Sequence, residues 1–167
     1  MFTKIYIAND HGGYAAKVKL LSYLDEKGVI YEDLGCDGKV AMTRYPYYAA
    51  RAAVKVQADP GSGGILLCST GIGMSMTANK FKGIRASMCT DVTMARLTRL
   101  HNDSNILCLG GRISGEYEIK DIVDKWLTTE FEGGRHGISV DLIKQAEEEL
   151  FGGLPCSLPD TRAEDEK

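Results

Sequence analysis

Short apolar segments rich in β-branched residues alternate along the chain with longer segments whose apolar residues recur at helical spacing. The short segments are "KIYIA", "VIYEDLG", "GGILLC", "IRASMC" and "NILCLGG". Strands that alternate with single helices predict right-handed βαβ crossovers and a parallel sheet with helices on both faces. The pattern repeats five times, so the sequence predicts an α/β fold with a five-stranded parallel sheet.

Local residues indicate where these elements begin and end. Gly28 lies where the first helix should close in a left-handed conformation, and Pro46 fits the first turn of the second helix. The segment "SVDLIKQAEEELFGG" has the apolar spacing of an amphipathic C-terminal helix, which would cover its own domain or a second copy. We predict a single domain over residues 1–152 and a poorly ordered tail over residues 153–167, where two prolines and a charged end show no period.

Charge and hydropathy narrow the classes of partner. The 167 residues carry a formal net charge of −3, and no basic cluster with interleaved aromatic residues occurs. This argues against a binder of nucleic acid or anionic membrane and favours a small-molecule partner. The first apolar run is too short for a signal peptide, and no segment approaches the roughly 20 apolar residues of a membrane span. We therefore expect a cytoplasmic protein.

The cysteines indicate neither a disulfide framework nor a zinc site. Their number is odd, and their spacing gives no CxxC motif and no Cys/His ligand pattern. They are Cys36, Cys68, Cys89, Cys108 and Cys156. We expect most of them to be small buried hydrophobic residues, and we expect no metal.

The loops that follow the predicted strands carry most of the residues capable of chemistry. These loops are "NDHGG", "LGCDG", "CSTGIGMS", "CTDVT" and "GGRISG". In open parallel sheets, ligands bind beyond the carboxyl ends of the strands, where such loops converge. We therefore expect a catalytic site at this edge of the sheet.

The glycine-rich segment 68–80, "CSTGIGMSMTANK", matches no common phosphate-binding or thiol motif. A Walker loop needs a Lys-Ser or Lys-Thr pair after its glycines, and a dinucleotide fingerprint needs a third glycine where Met76 stands. A cysteine phosphatase needs an arginine that closes the loop, and this loop contains none.

What remains is a thiol at a strand end, facing the backbone N–H groups that open the next helix. Such amides stabilise an anion and make a neighbouring thiol more acidic, and the hydroxyl of Thr70 lies within plausible reach. Cys68 would then be a base or nucleophile beside an oxyanion hole. The alternative is that Cys68 is a buried core residue, and the loop by itself does not decide between the two.

Four segments, in order and at similar spacing, closely resemble segments of the ribose-5-phosphate isomerase B family of sugar-phosphate isomerases. They are "NDHGGY", "LLCSTGIGMSMTANKFKGIRA", "ARLTRLHNDSNILCLGGR" and "EFEGGRH". The resemblance implies an aldose–ketose isomerase that interconverts ribose 5-phosphate and ribulose 5-phosphate without metal or organic cofactor. It also implies a Rossmann-like (flavodoxin-like) three-layer α/β/α sandwich that forms a homodimer or a tetramer with shared active sites.

The resemblance assigns roles to individual residues. It implies that Cys68 is the base that moves the C2 proton, with Thr70 beside it, and that His101 is the acid that opens the furanose ring. The substrate-binding positions that it implies are Asp10, His11, Ser69, Gly71, Ile72, Gly73, Met74, Asn102, Arg112 and Arg135, with the two arginines on the phosphate. Considered singly, Asp10 and His101 also suit helix caps, and each arginine also suits a solvated surface charge.

Two positions depart from the family pattern. Ser139 stands where the family usually has a phosphate-binding arginine, and Arg44 stands where many members have an acidic residue that contacts sugar hydroxyls. These departures leave three alternatives open: an isomerase of a hexose 6-phosphate or tetrose 4-phosphate, a nucleotide- or flavin-binding module, and an inactive sugar-phosphate-binding relative.

Overall fold

The computed structural model describes residues 1–39 and 41–153 of the chain. The strands are β1 (Ile5–Asn9), β2 (Tyr31–Asp33), β3 (Gly63–Cys68), β4 (Ala86–Met88) and β5 (Ile106–Gly110). The helices are α1 (Tyr14–Glu26), α2 (Tyr45–Ala58), α3 (Ile72–Ala78), α4 (Val92–Asn102), α5 (Glu116–Thr128) and α6 (Arg135–Phe151). Apart from Gly153, the tail predicted over residues 153–167 lies outside the described residues.

The five strands form one parallel sheet in the order β2-β1-β3-β5-β4, which confirms the predicted sheet. The connection after β1 leads to β2 on one side of β1, and the next connection leads from β2 to β3 on the other side of β1. This reversal is a topological switch point, where open α/β sheets bind their ligands. The register pairs Asn9 with Leu67 and Cys68 with Gly110, so three strands end side by side at one edge.

Alternate residues of the strands face two separate cores. Ile5 and Ile7 point to the face covered by α1 and α5, whereas Tyr6 and Ala8 point to the face covered by α2 and α3. Because both faces are covered, the central strands read as continuous apolar runs rather than as alternating ones. The result is the three-layer α/β/α sandwich implied by the resemblance.

The element boundaries follow the predicted local causes, with one difference. Gly28 adopts a left-handed conformation (φ 67°) after α1, and Pro46 lies in the first turn of α2, as predicted. The last helix begins at Arg135, earlier than the apolar spacing indicates. Gly133 and Gly134 both have positive φ and form the turn immediately before it, so the helix can begin at once. No helix in the described part of the chain is long and apolar enough to cross a membrane.

Candidate active site

Cys68 is the last residue of β3 and is only 5% exposed. The chain turns sharply after it, so that the N–H of Gly71 donates to the Cys68 sulfur at 3.1 Å. The N–H of Ile72 donates to the hydroxyl oxygen of Thr70 at 3.4 Å. The structure therefore brings the thiol, the hydroxyl and the amides that open α3 into one turn.

Two glycines make this turn possible. Gly71 has φ 82°, and a Cβ there would also lie 3.0 Å from the backbone of Leu109 in β5. A Cβ at Gly73 would lie 2.8 Å from the ring of Tyr45. A side chain at either position would push the turn away from Cys68. The glycine pattern seen in the sequence thus has a steric cause at each of these two positions.

Asp10 and His11 follow β1, directly beside the Cys68 turn. The buried carboxylate of Asp10 accepts hydrogen bonds from the N–H groups of Gly12 (2.8 Å) and Gly13 (3.2 Å), so its Oδ1 supports the turn that opens α1. The N–H of Thr43 donates to His11 Nδ1 at 3.2 Å, and the N–H of His11 donates to the Thr43 hydroxyl at 2.8 Å. These bonds tie the loop before α2 to the site.

Two arginines lie at this same edge of the sheet. The N–H of Arg112 donates to the carbonyl of Ser69 at 3.1 Å, and the Arg112 side chain is exposed. Arg44 follows Thr43 as the extended residue that precedes α2, and it is also exposed. The sequence departure at position 44 therefore places a cation at the rim of the candidate site.

The residues at the end of α4 lie elsewhere. Because α4 follows β4 and precedes β5, it runs back from the carboxyl edge of the sheet to the amino edge and ends there with His101 and Asn102. The His101 ring stacks on the ring of His136, with centroids 4.0 Å apart and planes at 13°. Arg135 is the exposed first residue of α6 and is the chain neighbour of His136. Ser139 follows Arg135 by one helical turn.

A polar network fixes the end of α4. Asp103 adopts a left-handed conformation (φ 45°) and its carboxylate pairs with Arg85 at 2.9 Å and with Arg99 at 2.8 Å. Arg85 also donates to the carbonyl of Asn102, at 3.1 Å. Ser104 accepts a hydrogen bond from the buried indole of Trp126, at 2.9 Å. The position of His101 is therefore set by a rigid turn.

A single chain keeps Cys68 and His101 apart. Cys68 pairs with Gly110 at the carboxyl end of β5, whereas the carbonyl of Asn105, just before β5, pairs with Gly64 at the start of β3. At about 3.3 Å per residue, the four steps from Ile106 to Gly110 span roughly 13 Å. The structure brings together Asp10, His11, Cys68, Ser69, Thr70, Gly71, Ile72, Gly73, Met74 and Arg112 at the carboxyl edge. It places His101, Asn102 and Arg135 at the amino edge.

Two other cysteines behave as core residues. Burial raises the pKa of Cys89 to about 12 and that of Cys108 well above its ordinary value. Both thiols therefore stay protonated near neutral pH. Cys36 is buried as well and accepts a hydrogen bond from the side chain of Asn9. Cys156 lies outside the described residues.

Sequence reasoning missed four residues that shape the two edges. Thr43 contacts His11 from the residues before α2, and Tyr45 lies beside Gly73 from the first turn of α2; neither residue belongs to a recognised motif. Glu132, just before α6, and His136, in its first turn, adjoin His101, and only their spacing of four residues on the chain hinted that they lie close together.

The chain is similar in sequence to known sugar-phosphate isomerases. The family model described as Ribose/Galactose Isomerase matches residues 5–143. Ribose-5-phosphate isomerase B of Escherichia coli (strain K12) is 43% identical over 145 residues, which is 87% of this chain and 97% of that protein.

Solved structures are similar over nearly their whole length. The ribose-5-phosphate isomerase B of Clostridium thermocellum has a TM-score of 0.85 and 42% sequence identity, over 89% of this chain and 99% of that chain. The ribose-5-phosphate isomerase B of Mycoplasma genitalium, solved with bound ribulose-5-phosphate, has a TM-score of 0.85 and 38% identity, over 89% of this chain and 99% of that chain.

Proposed function

The chain belongs to the ribose/galactose isomerase family and is an isomerase, and we propose that it interconverts ribose 5-phosphate and ribulose 5-phosphate. The observation that carries the proposal is the Cys68 turn, where a backbone N–H lies 3.1 Å from the thiol sulfur at the switch point of the sheet. The similarity to a ribose-5-phosphate isomerase B with bound ribulose-5-phosphate supports the choice of substrate.

The reaction moves a carbonyl group from C1 to C2 of the open-chain sugar. Cys68, as the thiolate, takes the proton from C2 while the electrons of the C–H bond form the C1–C2 double bond of an enediolate. The same proton then returns to C1, which leaves the carbonyl at C2 and regenerates the thiolate. A general base positioned in this way contributes about 10²–10⁴-fold to the rate.

The amides that open α3 stabilise the enediolate oxygen. The first N–H groups of a helix have no carbonyl partner within the helix, so the amides of Ile72, Gly73 and Met74 suit this role. The hydroxyl of Thr70, next to Ile72, moves protons between the two oxygens. Asp10 and His11 bind the sugar hydroxyls from the end of β1.

Ring opening by His101 requires a second copy of the chain. His101 and Cys68 lie at opposite edges of the sheet, so one chain does not present both to one furanose. In a homodimer with shared sites, the amino edge of one chain meets the carboxyl edge of the other. Exposed apolar side chains on the elements around the Cys68 turn support such an interface: Tyr45, Ile72, Met76 and Ile113.

The phosphate would then meet arginines from both chains. Arg112 lies with the Cys68 turn, and Arg135 lies with His101. Position 139 on α6 holds serine instead of the second arginine that is usual in the family. Arg44 adds a cation at the carboxyl edge, beside the Cys68 turn. A charge-assisted hydrogen bond contributes about 1.5–3 kcal/mol, or one to two orders of magnitude in affinity. We propose that Arg44 replaces the missing contact and keeps the pentose phosphate as substrate.

The test is an assay of ketose formation from ribose 5-phosphate and, separately, from allose 6-phosphate and erythrose 4-phosphate. We expect turnover of the pentose phosphate, and we expect Arg44→Ala to raise its KM about tenfold, with Ser139→Arg restoring the KM of that variant. Turnover of only the hexose or tetrose phosphate would support the proposed type of reaction but would contradict the proposed substrate. Sugar-phosphate binding without any turnover would overturn the proposal.

A further inference from the structure

Three side chains at the amino edge converge without bonding to one another. His101 Nε2 lies 3.9 Å and His136 Nε2 lies 3.7 Å from the same oxygen of Glu132. Both separations are too long for hydrogen bonds. A ligand atom from each of the three residues lies within 4.8 Å of the other two. We name these three residues the His–Glu–His cluster.

The backbone holds this cluster in place from both sides. The N–H of Glu132 donates to the carbonyl of Leu100 at 3.1 Å, which fixes the loop before α6 against the end of α4. Arg99, in the last turn of α4, donates to the carbonyl of Thr129 at 3.2 Å. Arg99 is itself held by Asp103. The three side chains therefore project from a shared rigid base rather than from independent loops.

The donor set and its spacing suit a zinc ion. Two imidazole nitrogens and one carboxylate leave a fourth position open, as in many zinc sites with three protein ligands. Donor atoms around tetrahedral zinc lie about 3.3 Å apart, because each is roughly 2.0–2.1 Å from the metal. The two His–Glu separations would need to shorten by only about 0.5 Å.

Zinc binding also requires the two imidazole rings to swing apart. They are nearly parallel, so their lone pairs do not yet point to a common centre. In the single chain, the His101 side chain is 35% exposed, the His136 side chain 17% and the Glu132 side chain 59%, so all three have room to turn there.

We infer that the His–Glu–His cluster binds one Zn²⁺ per chain and that this ion inhibits the isomerase. Coordination occupies the ring nitrogen with which His101 would protonate the furanose oxygen. Zinc would therefore block ring opening and leave the Cys68 turn intact. The inhibition rests on the proposed function, whereas the binding stands without it.

Binding is tested by calorimetric titration of Zn²⁺ into the full chain, with four variants. We expect one zinc per chain, weakened at least about 10–100-fold in Glu132→Gln and His136→Gln. Glu130→Gln, an exposed carboxylate two residues away, is the matched control, and Cys68→Ala tests for a thiolate ligand. Both should bind like the unmodified chain. Unchanged affinity in Glu132→Gln and His136→Gln, or loss of binding in Cys68→Ala, would overturn the site.

Cobalt provides a spectroscopic check on the ligands. Co²⁺ bound by nitrogen and oxygen alone should give visible d–d bands without the near-ultraviolet charge-transfer band of a cobalt–thiolate bond. A thiolate band that disappears in Cys68→Ala would contradict the His–Glu–His assignment.

Inhibition is measured separately, so that its failure is distinct from a failure of the proposed function. The rate of each variant is normalised to its own zinc-free rate. Zn²⁺ should lower the turnover of ribose 5-phosphate, and a chelator should restore it. Glu132→Gln should need at least about tenfold more zinc for the same inhibition. Zinc binding with unchanged turnover would overturn the proposed inhibition, but the proposed zinc site would stand. A chain without any isomerase activity would instead overturn the proposed function, and the titration would still decide the site.

Discussion

The two edges of the sheet contribute to the candidate site by different means. At the carboxyl edge, the backbone shapes the chemistry: Gly71 directs its N–H to the Cys68 sulfur, and Cys68 is almost fully buried. At the amino edge, partly exposed side chains shape the chemistry instead: His101 stacks on His136 beside Glu132. In the proposed mechanism, the buried carboxyl edge serves proton transfer at carbon, and the more exposed amino edge serves proton transfer at the ring oxygen.

The difference explains why neither edge is sufficient by itself. A buried thiol with oriented amides can hold an enediolate but does not open a furanose. A histidine on an exposed helix end can protonate a ring oxygen, but it has no oxyanion hole. In the proposed mechanism, each chain contributes one half of each of two sites, and pairing two copies would complete both.

Loss of the thiol should have the largest effect. We expect Cys68→Ala to lower kcat by about 10²–10⁴-fold, because the proposed base for the C2 proton is absent. Cys108→Ala is the matched control, since Cys108 lies on the same face of the neighbouring strand and is a core thiol. Steady-state kinetics and thermal unfolding of both variants separate chemistry from stability. Equal losses of activity in the two variants would contradict the role of Cys68.

Loss of the ring-opening acid should have a smaller and distinguishable effect. We expect His101→Ala to lower kcat by about 10²-fold, because the small open-chain fraction of the sugar still reacts at Cys68. Exchange of a C1 proton of the open-chain ketose ribulose 5-phosphate with solvent, followed by NMR, should survive in this variant and vanish in Cys68→Ala. Loss of exchange in both variants would mean that the two edges do not divide the chemistry as described.

Distortion of the turn should have a moderate effect. Alanine at Gly71 must adopt φ 82° and approach the Leu109 backbone. We expect a loss of roughly 1–2 kcal/mol of stability from the left-handed conformation and an activity loss of about tenfold from the displaced amide. Gly28→Ala carries a similar positive φ (67°) with nothing within 4 Å of its Cβ, so it should lose stability and keep activity. Chemical denaturation and kinetics compare the two, and full activity in Gly71→Ala would contradict the role of the turn.

The smallest effect concerns which thiols react. Because burial raises the pKa of Cys89 to about 12 and that of Cys108 well above its ordinary value, both remain protonated as the pH rises through neutrality and resist alkylation. We expect iodoacetamide at about pH 8 to modify Cys68 and inactivate the enzyme, with both core thiols unmodified by mass spectrometry. Ribose 5-phosphate should slow this inactivation. Modification of Cys89 or Cys108 before Cys68 would contradict the contrast between site and core.

Much of the fold could be predicted because its determinants are local. The alternation of apolar runs and helical segments predicts the parallel sheet, and Gly28 and Pro46 mark boundaries that the structure confirms. The strand order could not be predicted from local patterns. The position of β5 between β3 and β4 in the sheet depends on long-range packing. The early start of α6 depends on two glycines with positive φ, which the apolar spacing does not register.

The site could be predicted only in part. The carboxyl-edge residues follow the strands in sequence, so strand-end reasoning reaches Asp10, Cys68 and Thr70 directly. His101 and Arg135 entered through family resemblance, because a histidine at a helix end has an ordinary structural explanation. The motifs themselves do not show that these residues lie at the opposite edge from Cys68. That separation follows from the direction in which α4 crosses back along the sheet.

If each site draws Cys68 from one chain and His101 from another, combining two inactive variants should restore one complete site. Cys68→Ala and His101→Ala chains carrying different tags are co-expressed, and the mixed dimer is purified through both tags. One of its two sites would then contain both residues, so we predict about half of the wild-type activity. Activity no higher than the average of the two parent variants would contradict the shared site.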